Sequence, residues 1–161
     1  VTGIDAGGEM VAAAREHAAG AGIAVDYRAE PAEDLAAARA QFDAVLMLEV
    51  VEHVPDPDAL VETAARLVAP GGALILSTLN RTARGVALGI VAAEHVLRWV
   101  PRGTHDWRRF RRPSELARPL RRAGLRLEAL EGVNYDPFRD RWFRSPDIAV
   151  NYFAMAIHPR R

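Results

Sequence analysis

The 161-residue chain contains neither cysteine nor lysine. Without cysteine, disulfides and thiolate metal centres are excluded. All 21 basic residues are therefore arginine, a bias that, with the many alanines, reads as GC-rich coding rather than function. Acidic residues also number 21, so net charge is zero and no overall field draws the chain to nucleic acid. No nucleic-acid partner is expected. No apolar run approaches the roughly 18–20 residues needed to span a bilayer. Internal repeats and low-complexity linkers are also missing, so one domain over 1–161 is expected. Half the residues are hydrophobic and 26% charged, an ordinary balance for a chain with a sizeable core.

What is present is an alternation of short apolar runs and helical stretches. Val1-Thr2-Gly3-Ile4-Asp5 reads as a strand ending in a carboxylate, and the Ala-rich stretch 9–19 reads as a helix stopped by Gly20 and Gly22. A second strand is expected at 23–28, a short helix at 32–39 and a third strand at 42–48. Pro57 opens a helix over about 58–68, Pro70-Gly71-Gly72 breaks it, and Ala73-Leu74-Ile75-Leu76-Ser77-Thr78 is the next strand. Strands alternating with helices of about ten residues imply an α/β fold on a mostly parallel sheet. After Asn80 the pattern changes to an apolar segment, 85–100, followed by an arginine-rich one. A capped helix begins near Pro113, and strands are expected at 125–130 and 148–157. With no helix between them, these two suggest an antiparallel hairpin at the sheet edge.

Three groups of residues could carry chemistry. Asp5, at a strand's carboxyl end, sits where nucleotide-binding folds accept ribose hydroxyls, although a turn or capping aspartate before Gly7-Gly8 is an equal alternative. Glu49, Glu52 and His53 follow the strand 42–48; if the chain turns helical there, all three share one helix face and could hold Mg²⁺ or another divalent ion. A solvated loop that only caps the next helix is the plain alternative, and His53 alone could act as a general base. The third group is the apolar segment with Val86, Leu88, Ile90, Val91, Val96, Leu97, Trp99 and Val100, followed by its arginines. It could close over a pocket as a lid, lie in an anionic membrane surface, or form an ordinary core helix beside a solvated basic face. His105-Asp106-Trp107 lies in the same region and could swing over the site, though a lone histidine there is more often structural.

Taken together, these residues resemble a class I S-adenosylmethionine-dependent methyltransferase, and more narrowly the ubiquinone-biosynthesis O-methyltransferase family. The resemblance rests on Val1-Thr2-Gly3-Ile4-Asp5, Glu49-Val50-Val51-Glu52-His53-Val54-Pro55-Asp56-Pro57 and Leu67-Val68-Ala69-Pro70-Gly71-Gly72. It continues through Ser77-Thr78-Leu79-Asn80-Arg81, Ala93-Glu94-His95-Val96-Leu97-Arg98 and Val100-Pro101-Arg102-Gly103-Thr104-His105-Asp106. Gly132-Val133-Asn134-Tyr135 and Val150-Asn151-Tyr152 complete it. The resemblance implies a Rossmann-like sheet, mostly parallel, with an antiparallel last strand. By the same resemblance, Asp5 and Leu48 would bind S-adenosylmethionine, and Glu49, Glu52 and His53 would bind Mg²⁺. It further implies a polyprenylated phenol or catechol as substrate; the alternatives are methylation of another small molecule or of an RNA 3′ end, or a non-catalytic fragment that binds a nucleotide or a protein. The insert at about 81–112 would meet membrane lipid at 85–112, placing a cytoplasmic protein at the inner membrane face, with biosynthetic-complex partners.

The family's first strand and its glycine-rich loop have no counterpart in 1–161, so the domain is expected to be incomplete at its N-terminus. Strand edges left unpaired by that loss would make the piece marginally stable and a poor binder of S-adenosylmethionine.

Overall fold

The computed structural model describes residues 1–96, 101, 103–136 and 139–159, with no side-chain description for 92–96. Leu97, Arg98, Trp99, Val100 and Arg102, all named in the apolar and basic segments above, lie outside the described residues. The chain divides into two units, Val1–Ala40 and Gln41–Arg161.

In the first unit, strand β1 (Thr2–Asp5) pairs in parallel with β2 (Asp26–Ala29), with helix α1 (Gly8–Gly20) between them and α2 (Ala32–Ala37) after them. The second strand starts three residues later than expected. The Ile23 amide instead bonds to Ala18 O at 2.9 Å and closes the end of α1, so pairing begins only where Thr2 faces Asp26. A helix terminus leaves carbonyls to satisfy, and this apolar residue is used for that first.

The second unit holds strand β3 (Phe42–Leu48), helix α3 (Pro57–Arg66) and strand β4 (Val68–Leu79). Helix α4 (Ala83–Val86) then continues as a wider-coiled π-helix over Ala87–Val96, and a tight turn follows at Trp107–Arg109. Helix α5 (Pro113–Arg122) and strands β5 (Arg126–Asp136), β6 (Arg141–Ser145) and β7 (Asn151–Ile157) complete it. Its sheet runs β3-β4-β7-β5-β6; β3 and β4 are parallel and the remaining neighbours antiparallel.

Three expectations change here. Pro70-Gly71-Gly72 does not precede the strand but lies within it, as an irregularity where the register jumps from Phe42 opposite Val68 to Ala44 opposite Ala73. Gly71 takes φ +82°, and a Cβ on Gly72 would meet Asp43 O at 2.7 Å, so the close approach needs glycine. The last strand is no edge hairpin with β5, because β7 slots between β4 and β5 and is bonded along both sides. The edge on that side belongs to β6, an unforeseen strand, and β3 forms the other edge.

Local chemistry explains why the elements stop where they do. Asp56 accepts the Ala59 amide through Oδ1 at 3.0 Å and caps α3, and Pro57 occupies a first-turn position where a missing N–H is harmless. One face of the sheet alternates Leu74 and Leu76 with Tyr152, Ala154 and Ala156 into a core shared with Val61, Ala64 and Ala65 of α3 and Leu116 and Leu120 of α5. Leu74, Leu76 and Leu120 are fully enclosed, each contributing roughly 1.5–3 kcal/mol by leaving water. Arg118 and Arg122 bridge from α5 to Asp58 at 3.2 and 3.0 Å, and Arg122 also reaches Glu62 at 2.7 Å. These pairs are partly exposed and orient the helices more than they stabilise them. Among the described residues no helix is long and apolar enough to cross a membrane.

The parallel pairing of β3 and β4 is what builds the site. It sets Leu48 level with Ser77, so the chain leaving β3 passes directly beside the hydroxyl-bearing end of β4.

Candidate active site

Immediately after β3, Glu49 adopts φ +52°, a left-handed conformation that a non-glycine residue seldom takes. Ser77 holds it there. The Glu49 amide donates to both Ser77 O and Ser77 Oγ at 3.1 Å, and Ser77 Oγ donates to Glu49 Oε1 at 2.6 Å. Next along β4, Thr78 Oγ1 donates to Glu52 Oε2 at 2.9 Å. Two neighbouring hydroxyls on one strand thus each take one carboxylate.

The helix expected after Leu48 is not formed. Residues 50–53 make a single turn closed by the His53 amide on Val50 O at 3.0 Å, so the shared helix face for Glu49, Glu52 and His53 does not exist. The reason is the left-handed Glu49, which reverses the chain at the start of that segment. Glu52 is 3% exposed while His53 faces solvent. The Mg²⁺ expectation finds no support in this arrangement: among the described residues no three histidine, aspartate or glutamate side chains are grouped so as to hold a metal ion. Glu49 has turned its Oε1 to Ser77, and the donor set a hard cation requires is not assembled.

What the turn builds instead is a carboxyl group under tension. Burial pushes the Glu52 carboxyl up to about 7, the Glu49 carboxylate beside it adds to the rise, and the Thr78 hydroxyl restrains it. Its Oε1 is buried with no hydrogen-bond partner. Behind it, Tyr152 is wholly enclosed and donates to Arg111 O at 2.9 Å. Burial first, and the carboxylates of Glu115, Glu52 and Glu49 second, raise the Tyr152 phenol well above its usual range, so it serves as structure and not as a proton donor.

Glu52 and His53 line a cavity of about 240 Å³ whose other wall comes from residues 103–110, including His105, Asp106, Arg109 and Phe110. His105, more than 50 residues from His53 in sequence, meets Phe110 edge-on with ring centroids 6.2 Å apart. It therefore lines the cavity together with His53.

Asp5 and Leu48 occupy the strand ends expected of them. Asp5 Oδ1 accepts the Gly7 amide at 2.7 Å, so the turn role is real. Its second oxygen has no partner among the described residues and is open to a hydroxyl donor. Leu48, 44% exposed, presents apolar surface at the carboxyl end of β3.

Ser77, Thr78 and Arg109 were not singled out from the sequence as site residues. Aligning the strands 42–48 and 73–78 in parallel would have placed both hydroxyls beside Glu49, because ligand sites of such sheets lie past strand carboxyl ends. No comparable signal marks Arg109 among so many arginines.

A methyltransferase-domain family model matches residues 1–76. The ubiquinone biosynthesis O-methyltransferase of Xanthomonas axonopodis pv. citri (strain 306) is 49% identical over 99% of this chain and 67% of its own length. That of Sinorhizobium fredii (strain NBRC 101917 / NGR234) is 48% identical over 99% of this chain and 64% of its length. The chain thus spans about two thirds of the length of these relatives. Among solved structures, magnesium protoporphyrin IX methyltransferase from Synechocystis PCC 6803, with bound S-adenosylhomocysteine, superposes with a TM-score of 0.64. It covers all of this chain and 64% of the other at 18% identity, a likeness of fold alone.

Proposed function

We infer that this chain, which belongs to the ubiquinone biosynthesis O-methyltransferase family, carries the acceptor side of an S-adenosylmethionine-dependent O-methyl transfer. The acceptor is a phenolic or catechol hydroxyl on a polyprenylated ring. The single observation that carries this reading is the cavity in which the buried, partner-seeking Glu52 and the exposed His53 face the same small space.

S-adenosylmethionine supplies an electrophilic methyl group, which the acceptor oxygen takes as its own proton leaves. In the first unit Asp5, with one oxygen open to a hydroxyl donor, suits a ribose; in the second, Leu48 offers exposed apolar surface. A free phenol, with a pKa of about 10, holds its proton at neutral pH, so a base is needed. His53 lines the cavity and is the group placed to receive that proton. Glu52, fixed by the Thr78 hydroxyl, forms the inner wall beside His53, and holding the acceptor against a fixed wall supplies much of the acceleration. No step is routed through Mg²⁺, because the three side chains proposed for it do not form a coordination group.

The substrate's tail finds support in the insert. Leu88 and Val91 on the α4 winding are 47% and 52% exposed, and Trp107 is 47% exposed with the Arg108 guanidinium 5.6 Å from its ring centre. Apolar and aromatic groups flanked by arginine suit the interface of an anionic membrane, where a polyprenyl tail would reside.

The test is methyl transfer from labelled S-adenosylmethionine to a catechol bearing a short prenyl chain. His53→Ala is expected to lower turnover at least 100-fold while leaving cofactor affinity within twofold. Wild-type protein that methylates no phenol or catechol, or a His53→Ala variant with full turnover, would refute the reading.

A further inference from the structure

Three of the blocks that carry the family resemblance meet at one loop. Residues 147–151 lead into β7 and are clamped from two sides. From one side, Arg84 pairs with Asp147 at 2.9 Å, Asn80 Nδ2 donates to Ile148 O at 2.8 Å, and the Thr82 hydroxyl donates to Ala149 O. From the other, Asn134 Nδ2 donates to Asp147 O at 3.3 Å and the Val133 amide donates to Asn151 Oδ1 at 3.0 Å. A Cβ on Gly132 would run into Asp147 O, so this approach requires glycine. The root of the 81–112 insert and the β5–β6 hairpin are therefore tied to the same short segment.

Topology brings both to one end of the sheet. Strand β7 runs antiparallel to β4 and to β5, so β4 and β5 point the same way and finish at the end where the insert leaves. Beyond the last β5–β7 pair, Glu131 opposite Phe153, residues 132–136 pair with β6 alone. At about 3.3 Å for each strand residue, these five carry the hairpin roughly 16 Å past that pair. Its projecting part is aromatic. Trp142 is 57% exposed and Phe143 42%, and the Tyr135 ring centre lies 5.2 Å from that of Trp142. Successive residues of a strand point to opposite faces, so the hairpin is apolar on both. Its charges are answered locally: Arg139 lies 3.8 Å from Asp136, Arg144 pairs with Glu131, and Asp140 accepts the Tyr135 hydroxyl at 2.6 Å.

We propose that the β5–β6 hairpin lowers its aromatic tip into the headgroup region of an anionic bilayer, as an apolar foot beside the cationic insert. This rests on the membrane reading of the insert above and adds a separate contact that does not depend on charge. Aromatic rings settle where headgroups meet acyl chains, and Trp142 and Phe143 are exposed for it. Insert arginines such as Arg108, its side chain 75% exposed, draw the protein to anionic lipid. Two contacts at one end of the sheet fix orientation as well as distance, and turn the carboxyl ends of β3 and β4 toward the lipid.

The experiment is cosedimentation of the whole chain with vesicles of phosphatidylcholine alone and of phosphatidylcholine mixed equally with phosphatidylglycerol. The double variant Trp142→Ser/Phe143→Ser should lower partitioning onto the mixed vesicles about tenfold, with salt dependence and melting temperature unchanged. Arg108→Gln should instead flatten the salt dependence. With Trp99→Phe and Trp107→Phe leaving Trp142 as the sole tryptophan, its emission should shift to the blue on mixed vesicles and be quenched by brominated acyl chains. Trp142 emission unmoved by vesicles that still sediment the chain would overturn the role of the hairpin while that of the insert stands. A blue shift that follows protein concentration without lipid would give the tip to a second copy of the chain and overturn the proposal as well. Wild-type protein that sediments with neither vesicle would bring down both membrane contacts.

Discussion

Replacing Glu52 with glutamine tests the physical state of the site most directly. The folded carboxyl titrates at about 7, against an ordinary 4.5. Below pH 4.5 folded and unfolded chains both hold the proton, and the shift has no effect on stability. Between 4.5 and 7 the folded form keeps a proton that the unfolded chain has released, so stability falls as pH rises and levels off above 7. The difference of two and a half pH units corresponds to about 3 kcal/mol. Glutamine keeps an acceptor for the Thr78 hydroxyl and cannot ionise. Glu52→Gln should therefore match wild type near pH 4.5 and be more stable by about 3 kcal/mol at pH 8, a rise of roughly 6–12 °C in Tm for a chain of this size. Thermal melts followed by circular dichroism from pH 4.5 to 8.5, in buffer containing EDTA, would read this. If the two melting curves differ by the same amount at every pH, Glu52 is not a buried, raised carboxyl and the account of the cavity fails.

Two further outcomes follow from the same strand. Thr78→Val removes the hydroxyl that donates to a carboxyl that is 3% exposed and should cost about 1–3 kcal/mol in urea unfolding, whereas Thr78→Ser, which keeps the hydroxyl, should cost clearly less. Leu76→Ala empties a wholly enclosed core position on the face of β4 that meets α3 and α5, and should cost about 2–5 kcal/mol by the same measurement, with cofactor affinity the same wherever the chain remains folded.

The strands and helices were legible wherever local pattern and tertiary demand agree. Phe42–Leu48 is found as the apolar run implied, and α3 begins at the Asp56-Pro57 signal. Family membership was readable from blocks such as Glu49-Val50-Val51-Glu52-His53 and Pro101-Arg102-Gly103-Thr104-His105-Asp106 because those are strings of residue types, and a string needs no geometry. Where the boundaries moved, a long-range partner had intervened: Thr2 decided where β2 starts, and Asp43 required the glycine inside β4.

By itself, then, the order of residues determined the α/β alternation, the acids at strand ends and the absence of thiol chemistry, all of which depend on neighbours a few positions apart. Only the tertiary structure decided what those acids became. Thr78 reaches Glu52 across 26 positions, Ser77 bends Glu49 across 28, and Arg109 comes to the cavity from farther still. Burial, left-handed strain and a raised carboxyl arise from atoms brought together by sheet pairing, and no spacing along the chain encodes that proximity.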